Sequence, residues 1–272
     1  MLTTHSLRGL FVPVVTPFDE QGKLDWLSYE KLLDRLVGSG IQGLVLNGVT
    51  GEASSLTDHE LEALIRIARD ASRDIPVIAG IGYSKASTTD KRIGILKELG
   101  AEGALVPLSS LHSSLQKTFT PLLEELTTAG LPVILHDLPV PGERPIAIEQ
   151  VLSLLEYDQI IGIKTSTGDI RRLFKLARSS EKSVLCGEDA LFYASLSCGA
   201  KGGILASSNL DSDSYLRIVE QFRAGYIPDA GLIFDQLTPL IRFLCTEPSP
   251  APLKWLLAQQ GYIRSGKLRL KA

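Results

Sequence analysis

Residues 160–169 read IIGIKTSTGD, a short apolar run that ends at Lys164 and gives way to a polar turn. Three branched apolar residues and a glycine in succession are typical of a strand that is covered on both faces, as in a parallel sheet. A lysine at the carboxyl end of such a strand stands where α/β barrels carry their chemistry. Partial burial disfavours the ammonium form, so this amine can be neutral near pH 7 and attack a carbonyl group. The alternative is a solvated lysine at a strand end.

On either side of this stretch, β-type runs alternate with amphipathic helical segments. The eight runs are Leu10–Thr16, Gly43–Asn47, Pro76–Ile81, Gly103–Val106, Pro132–His136, Ile160–Lys164, Ser183–Gly187 and Gly202–Ala206. Strands that alternate with helices of this length form parallel βαβ units, and eight units in about 205 residues predict a (β/α)8 TIM barrel. A doubly wound sheet is the competing fold. The regular units and the lack of Gly-x-Gly-x-x-Gly after the first strand disfavour it.

After the eighth run the alternation stops, and three further helices are predicted over Leu210–Arg223, Asp229–Cys245 and Pro252–Gly261. No linker-like or low-complexity stretch separates them from the preceding residues. We therefore predict a barrel over residues 1–208 and a C-terminal helical extension over residues 209–272, packed on the barrel as one structural domain.

The composition excludes several classes of protein. The 272 residues are 44% apolar and 22% charged, as in a globular protein with a sizeable core, and the net charge of −3 offers no basic surface for nucleic acid or anionic membrane. No apolar run reaches the ~18 residues that span a bilayer, and the first residues lack the layout of a secretory signal. Cys186, Cys198 and Cys245 lack paired or metal-ligand spacing, so we expect reduced core thiols in a cytoplasmic protein. Four scattered histidines predict no structural metal site.

Other predicted strand ends also carry groups that suit chemistry. After strand two, the turn at 48–51 leaves backbone N–H groups that can point at one anion, a nest suited to a carboxylate, although plain turn chemistry is the alternative. Strand five ends at His136, whose imidazole suits proton transfer near neutral pH, although a lone histidine can be purely structural. Asp137 is expected on the opposite face and not to orient His136 directly. After strand seven, Glu188 and Asp189 either hold negative charge near the barrel mouth or cap the next helix.

Five separated motifs resemble the dihydrodipicolinate synthase / N-acetylneuraminate lyase family of pyruvate-dependent Schiff-base lyases. They are GLFVPVVTPF (9–18), GVTGE (48–52), IGIK (161–164) with Thr167-Gly168 behind it, GEDA (187–190) and EPSPAPLK (247–254). The resemblance extends from Gly9 to about Leu270, which is almost the whole chain.

The resemblance implies a homo-oligomer, a dimer or a tetramer, in which Lys164 forms an imine with the ketone of pyruvate. An aldehyde is the second partner, and no dissociable cofactor or metal is needed. The backbone N–H groups of Val49 and Thr50, with the Thr50 hydroxyl, are the implied ligands of the pyruvate carboxylate. The remaining implied substrate-binding positions lie at strand ends and are Gly48, Gly187 and Leu205.

Several departures from the family pattern bear on the substrate. A tyrosine normally ends strand five and shuttles protons, whereas this chain has His136, and the carboxylate turn has Val49 where a hydroxyl is usual. The strand-four loop of the synthases carries a tyrosine pair, which is replaced here by Leu108-Ser109. The synthases also bind the carboxylate of the aldehyde with an arginine after strand five. This chain has Val140-Pro141-Gly142 there, with Arg144 as the nearest arginine.

Three functions follow from this pattern. The first is a class I aldolase, a carbon–carbon or carbon–oxygen lyase that forms or uses pyruvate and acts on a 2-keto-3-deoxy acid, with His136 as the acid–base group. The second is a divergent 4-hydroxy-tetrahydrodipicolinate (dihydrodipicolinate) synthase. The departures disfavour it, because losing a group that transfers protons in the transition state typically lowers the rate by ~10²–10⁴. The third is a catalytically degenerate homologue that binds a keto acid without turning it over.

Overall fold

The computed structural model describes residues 2–72, 74–82, 89–111, 130–140, 142 and 145–269. Three positions named above, Pro141, Arg144 and Leu270, lie outside the described residues. No helix in the described part of the chain is both long enough and apolar enough to cross a membrane.

Eight strands form a closed barrel in sequence order, and each strand pair whose register is resolved is parallel. They are β1 (Gly9–Pro13), β2 (Gly43–Leu46), β3 (Val77–Gly80), β4 (Gly103–Pro107), β5 (Val133–Asp137), β6 (Ile160–Thr165), β7 (Ser183–Cys186) and β8 (Gly202–Ile204). The predicted (β/α)8 barrel is confirmed. The largest difference in strand bounds is at β1, which ends at Pro13 instead of Thr16.

Helices follow the strands. The described ones are α1 (Trp26–Gly38), α2 (Asp58–Ala71), α3 (Thr89–Glu98), α4 (Ile148–Leu155), α5 (Ile170–Ser179), α6 (Phe192–Ser197), α7 (Ser212–Arg223), α8 (Ile227–Leu244) and α9 (Ala251–Gln259). Short 3-10 turns lie at Ala53–Ser55, Leu108–Leu111, Asp189–Leu191 and Ala206–Asn209. The three helices predicted after the last strand are confirmed as α7, α8 and α9.

Helix α2 shows how local sequence specifies these elements. Its buried positions recur at helical spacing and are Leu61, Leu64, Ile65 and Ala68. The helix begins with a capping box, in which the Thr57 hydroxyl accepts from the Glu60 N–H and the Glu60 carboxylate accepts from the Thr57 N–H. Both bonds satisfy backbone donors that a helix N-terminus otherwise leaves unpaired.

The contacts divide the chain into two compact units. The first unit comprises Met1–Arg8 and Ile78–Ile204, and the second comprises Gly9–Val77 and Leu205–Ala272. Lys164, His136 and Gly187 belong to the first unit, whereas Gly48, Val49, Thr50 and Leu205 belong to the second. The division of the chain into residues 1–208 and 209–272 stays a prediction.

The three cysteines form no disulfide bond and lie in different surroundings. Cys186 is buried, Cys198 is partly buried and Cys245 is exposed. The expectation of core thiols is therefore correct for Cys186 and wrong for Cys245. Cys245 is exposed because it caps the carboxyl end of α8, beyond the buried stripe of that helix.

Candidate active site

Lys164 stands apart from all other residues of the eight strands. Every one of those residues is buried except Lys164, which is only partly so. Its Cα partner in the neighbouring strand β5 is His136. Because residues paired across parallel strands project from the same face of the sheet, the amine and the imidazole share one face.

Gly187, directly after β7, packs against the side chain of Lys164. A Cβ atom at Gly187 would lie 2.7 Å from Lys164 Cε and 2.1 Å from Ser166 Oγ. Both distances are far shorter than a van der Waals contact, so only glycine leaves room here. The Gly187 N–H donates to the Thr165 carbonyl at 2.8 Å, which holds the backbone in this position. Lys164 Cε and the Ser166 hydroxyl are therefore neighbours across Gly187.

His136 is hydrogen-bonded to Ser166, with Nε2 and Oγ 3.1 Å apart, and both residues are buried. Burial lowers the pKa of His136 well below its ordinary value of 6.5, and the charge of Lys164 lowers it further. The imidazole is therefore neutral at pH 7 and can accept a proton. Ser166 was not singled out from the sequence, although its position two residues after the lysine was a usable signal.

The pKa of the Lys164 amine lies close to neutral pH. Burial lowers the pKa of Lys164 from 10.5 to about 8, and the carboxylates of Asp189 and Glu188 oppose that shift because negative charge favours the ammonium form. Burial also raises the pKa of Glu188. The Glu188 side chain makes no capping bond to the 3-10 turn that follows it. Of the two alternatives for Glu188, the structure therefore supports negative charge near the lysine.

Asp137 faces away from His136, as alternation along a strand predicts. Its carboxylate accepts a hydrogen bond from Arg172 Nε at 2.6 Å, and both side chains are nearly buried. Its backbone carbonyl accepts from the Ser166 N–H at 2.8 Å, which ties the end of β5 to the residue that follows β6. This backbone hydrogen bond keeps Ser166 next to the end of β5, where its hydroxyl can bond to His136.

The turn after β2, in the second unit, is closed by its own backbone. Its hydrogen bonds run from the N–H groups of Gly51, Glu52 and Ala53 to the carbonyls of Gly48 and Val49. The flanking residues Asn47 and Glu52 have φ values of 54° and 55°, a region uncommon for residues other than glycine.

The N–H groups at the centre of this turn are available. Among the residues that the structure describes, neither the Val49 N–H nor the Thr50 N–H donates to a protein acceptor. Thr50 is buried, whereas Val49 is exposed. This arrangement is what a carboxylate nest requires, and the binding role of Gly48, Val49 and Thr50 stays a prediction.

Glu52 anchors the same turn to the C-terminal segment of the second unit. Its carboxylate accepts from Lys254 Nζ and from the Arg269 N–H, each at 2.8 Å, and the side chains of Glu52 and Lys254 are fully buried. Lys254 also donates to the carbonyls of Thr16 and Lys267. The motifs GVTGE and EPSPAPLK, quoted separately above, are thus joined by one ion pair.

Leu205, the last predicted substrate-binding residue, is fully buried. Its carbonyl accepts from the Ser208 hydroxyl at 2.5 Å. Its side chain therefore packs in the core, and a substrate contact at this position would come from its backbone.

The described residues contain no group of three or more His, Cys, Asp and Glu side chains arranged to hold a metal ion. The expectation that the chemistry needs no metal or dissociable cofactor stays a prediction.

Comparison with known proteins places the chain in a family. A model of the dihydrodipicolinate synthetase family matches residues 6–270. The chain is 30% identical over 268 residues to 4-hydroxy-tetrahydrodipicolinate synthase 2 of Clostridium acetobutylicum, a match over 97% of this chain and 93% of that protein. It is 33% identical over 264 residues to the 4-hydroxy-tetrahydrodipicolinate synthase of Thermodesulfovibrio yellowstonii, over 94% of this chain and 89% of that protein.

The fold of this chain is also similar to that of a solved structure of such a synthase. The 4-hydroxy-tetrahydrodipicolinate synthase from Methylacidiphilum fumariolicum SolV has a TM-score of 0.90 and 29% identity, over 98% of this chain and 90% of that one. Because the family model matches nearly the whole chain, this protein belongs to the dihydrodipicolinate synthetase family.

Proposed function

We propose that this protein is a pyruvate-dependent, Schiff-base-forming lyase of the class I aldolase type. The single observation that carries the proposal is the state of Lys164. Among the residues of the eight described strands it alone is partly rather than fully buried, it stands at the carboxyl end of β6, and burial lowers its pKa to about 8. An amine in that state is an effective nucleophile toward a ketone. The names of the relatives, which are synthases of one kind, support an enzyme of this family.

In the cleavage direction, neutral Lys164 Nζ attacks the C2 ketone of the keto acid substrate, and loss of water leaves an imine that is protonated on nitrogen. When the C4 hydroxyl loses its proton, the C3–C4 bond breaks, the aldehyde leaves, and the electron pair of that bond moves toward the protonated imine to give the enamine of pyruvate. Protonation of the enamine at C3 and hydrolysis of the imine release pyruvate and the free amine. In the reverse direction the imine of pyruvate loses a C3 proton, and the resulting enamine attacks an aldehyde. The imine itself supplies the electron sink, so the proposal requires no cofactor.

His136 and Ser166 are the proposed proton-transfer groups. Carbon–carbon cleavage requires removal of a hydroxyl proton, and the neutral imidazole of His136 can accept it. Ser166 Oγ lies 3.1 Å from His136 Nε2 and beside the Lys164 methylene, so its hydroxyl can pass the proton between substrate and imidazole.

For the substrate we propose a 2-keto-3-deoxy acid, which cleaves to pyruvate and an aldehyde. The departures at His136, Leu108-Ser109 and Val140 favour this class over the synthase reaction. The second candidate is a divergent 4-hydroxy-tetrahydrodipicolinate synthase, which the names of the relatives favour. The amides of Val49 and Thr50 stay the predicted ligands of a carboxylate.

The test is reduction with borohydride in the presence of pyruvate, followed by peptide mass spectrometry. We expect a stable adduct on Lys164, none in Lys164→Met, and an unchanged adduct in Lys175→Met, whose amine is at the surface. Absence of the adduct in the natural sequence would remove the Schiff-base proposal.

Assays then separate the candidate functions. Pyruvate release from a panel of 2-keto-3-deoxy acids supports the aldolase, and condensation of pyruvate with aspartate semialdehyde supports the synthase. An adduct without turnover in either assay identifies a degenerate keto-acid-binding homologue.

We also propose that the chain forms a homo-oligomer, a dimer or a tetramer, in the cytoplasm. Phe243 on α8 and Trp255 on α9 support an interface, because their rings lie 5.6 Å apart and both are exposed. Sedimentation of the natural protein and of Trp255→Glu tests this. A monomer at every concentration would contradict it, and cell fractionation tests the location.

A further inference from the structure

A cavity of about 330 Å³ lies in the first unit, and none of Lys164, His136 and Ser166 lines it. It is bounded by residues that follow β4, β5 and β6. Its apolar lining residues are Leu108, Leu138, Pro139, Val140, Pro145 and Ile146. A volume of this size falls within the range of small-molecule sites, which are mainly apolar with a few placed polar groups.

Arg172 supplies the unusual polar group in this cavity. Its side chain is 12% exposed, and its Nε donates to Asp137 Oδ2 at 2.6 Å. Its Nη2 atom is buried and has no hydrogen-bond partner among the residues that the structure describes. A buried guanidinium N–H without an acceptor is costly, and few such groups persist in native proteins without a bound partner.

The unpaired donor is not one of the backbone N–H groups at the N-terminus of α5. Asp169 Oδ1 accepts from the N–H groups of Arg171 and Arg172, so these amides are already satisfied. Asp169 also lines the cavity. The unpaired donor is therefore on the Arg172 side chain and not on the helix end.

The charges around the cavity decide what kind of acceptor fits. Arg172 is paired with Asp137, and Asp169, which also lines the cavity, is paired with Arg171 at the surface. An anionic ligand would add a third negative group beside two carboxylates that already balance these two cations. A neutral oxygen completes the hydrogen bond of Nη2 without that repulsion.

We propose that this cavity binds a small uncharged aliphatic molecule whose carbonyl or hydroxyl oxygen accepts from Arg172 Nη2. The aliphatic part packs against the apolar wall, and Ser109 and Thr167 also line the cavity. The site is separate from the amine of Lys164, so occupation does not require imine formation.

The test measures binding of three probes of matched shape to the whole protein by ligand-observed NMR. The probes are isovaleramide, which is neutral, isovalerate, which is anionic, and isoamylamine, which is cationic. We expect isovaleramide to bind, and to bind equally after Lys164 has been blocked by borohydride and pyruvate. A fragment of this size binds weakly, with Kd on the order of millimolar.

Two variants and one control locate the site. Arg172→Leu should weaken isovaleramide binding about tenfold or more, because a hydrogen bond to a charged donor is lost. Arg171→Leu, one residue earlier and fully at the surface, should leave binding unchanged. Val140→Trp, which fills the cavity and keeps the Asp137–Arg172 pair, should abolish binding even if Arg172→Leu fails to fold.

Three results would overturn the proposal. The first is equal binding of isovaleramide to Val140→Trp and to the natural protein. The second is tighter binding of isovalerate than of isovaleramide. The third is a crystal structure, soaked in isovaleramide, with only an ordered water on Arg172 Nη2. Failure to trap pyruvate on Lys164 would leave this test intact, since the untreated protein is also measured.

Discussion

The imidazole of His136 and the hydroxyl of Ser166 lie 3.1 Å apart, one at the end of β5 and the other directly after β6. Burial keeps the histidine neutral, and Gly187 brings the serine hydroxyl against the Lys164 side chain. The imidazole of His136, the hydroxyl of Ser166 and the side chain of Lys164 thus lie next to one another. We predict that this pair of side chains, His136 and Ser166, rather than the histidine alone, takes the place of the tyrosine that usually ends strand five in the family.

Removing either member of this pair should separate imine formation from turnover. His136→Ala should lower kcat by about 10²–10⁴, because the proton acceptor is lost. Ser166→Ala should lower kcat less, because a water molecule can occupy the space of the hydroxyl. Borohydride trapping of pyruvate on Lys164 should persist in both variants. The measurement is kcat on the best keto acid of the panel, together with the yield of the trapped adduct.

Ser180→Ala is the matched control, since that hydroxyl accepts from the Lys182 N–H and contacts none of the groups of the candidate site described above. This variant should change neither kcat nor the yield of the trapped adduct. If His136→Ala retains full turnover, the histidine is structural and another group moves the proton.

The pH dependence of trapping should report the Lys164 amine. Its pKa is about 8, so the rate at low pyruvate should rise with pH and level off above that value. The Glu188 carboxylate raises the pKa of Lys164, so Glu188→Gln should move the midpoint to lower pH. Glu181→Gln, an exposed carboxylate of the same unit, should leave the midpoint in place. A midpoint that moves upward in Glu188→Gln would contradict this account of the charge around the amine.

The same pKa has a consequence for stability. Because the folded-state pKa of Lys164 lies below its unfolded value of 10.5, the folded chain binds fewer protons between about pH 8 and 10.5. This residue therefore costs stability below pH 8, and the cost is relieved as the pH rises through that interval. Lys164→Met should remove this contribution. The measurement is the free energy of unfolding in urea at pH 7 and pH 9.5, which should differ less in the variant.

The fold could be predicted from the sequence because its strands are fully buried. Runs such as Ile160–Lys164 are short, apolar and separated by helical periodicity, so their number and order specify a barrel without knowledge of any contact. The strand end also identifies Lys164 and His136, since each terminates an apolar run with a polar side chain.

The partners of these residues could not be predicted in the same way. Ser166 lies 30 residues from His136, and Lys254 lies 202 residues from Glu52. Such pairs depend on strand register and loop path, which periodicity does not encode. The unpaired Nη2 of Arg172 is a property of three-dimensional packing alone, because Arg171 beside it has the same side chain and lies in solvent.

Gly187→Ala should disrupt the site without disturbing the barrel. The added methyl group would meet Lys164 Cε and Ser166 Oγ at distances that real atoms do not adopt, so the lysine must move. We expect trapping of pyruvate to fall at least about tenfold, with a fall in Tm of a few degrees, as for an overpacked core. Gly94→Ala in α3 is the control, since nothing lies within 4 Å of its Cβ position and alanine favours a helix. Unchanged trapping in Gly187→Ala would mean that the lysine does not pass this glycine.

Lys254→Met should destabilise the second unit strongly. It removes the ammonium partner of the fully buried Glu52 carboxylate, and breaking one side of a buried ion pair costs about 3–5 kcal/mol. The double variant Glu52→Gln/Lys254→Met removes both charges and should regain part of this loss. Lys175→Met breaks an exposed pair with Glu149 and should barely change the free energy of unfolding. The measurement is urea unfolding of all three variants. If Lys254→Met unfolds with the same free energy as Lys175→Met, the buried ion pair between Glu52 and Lys254 does not stabilise the fold.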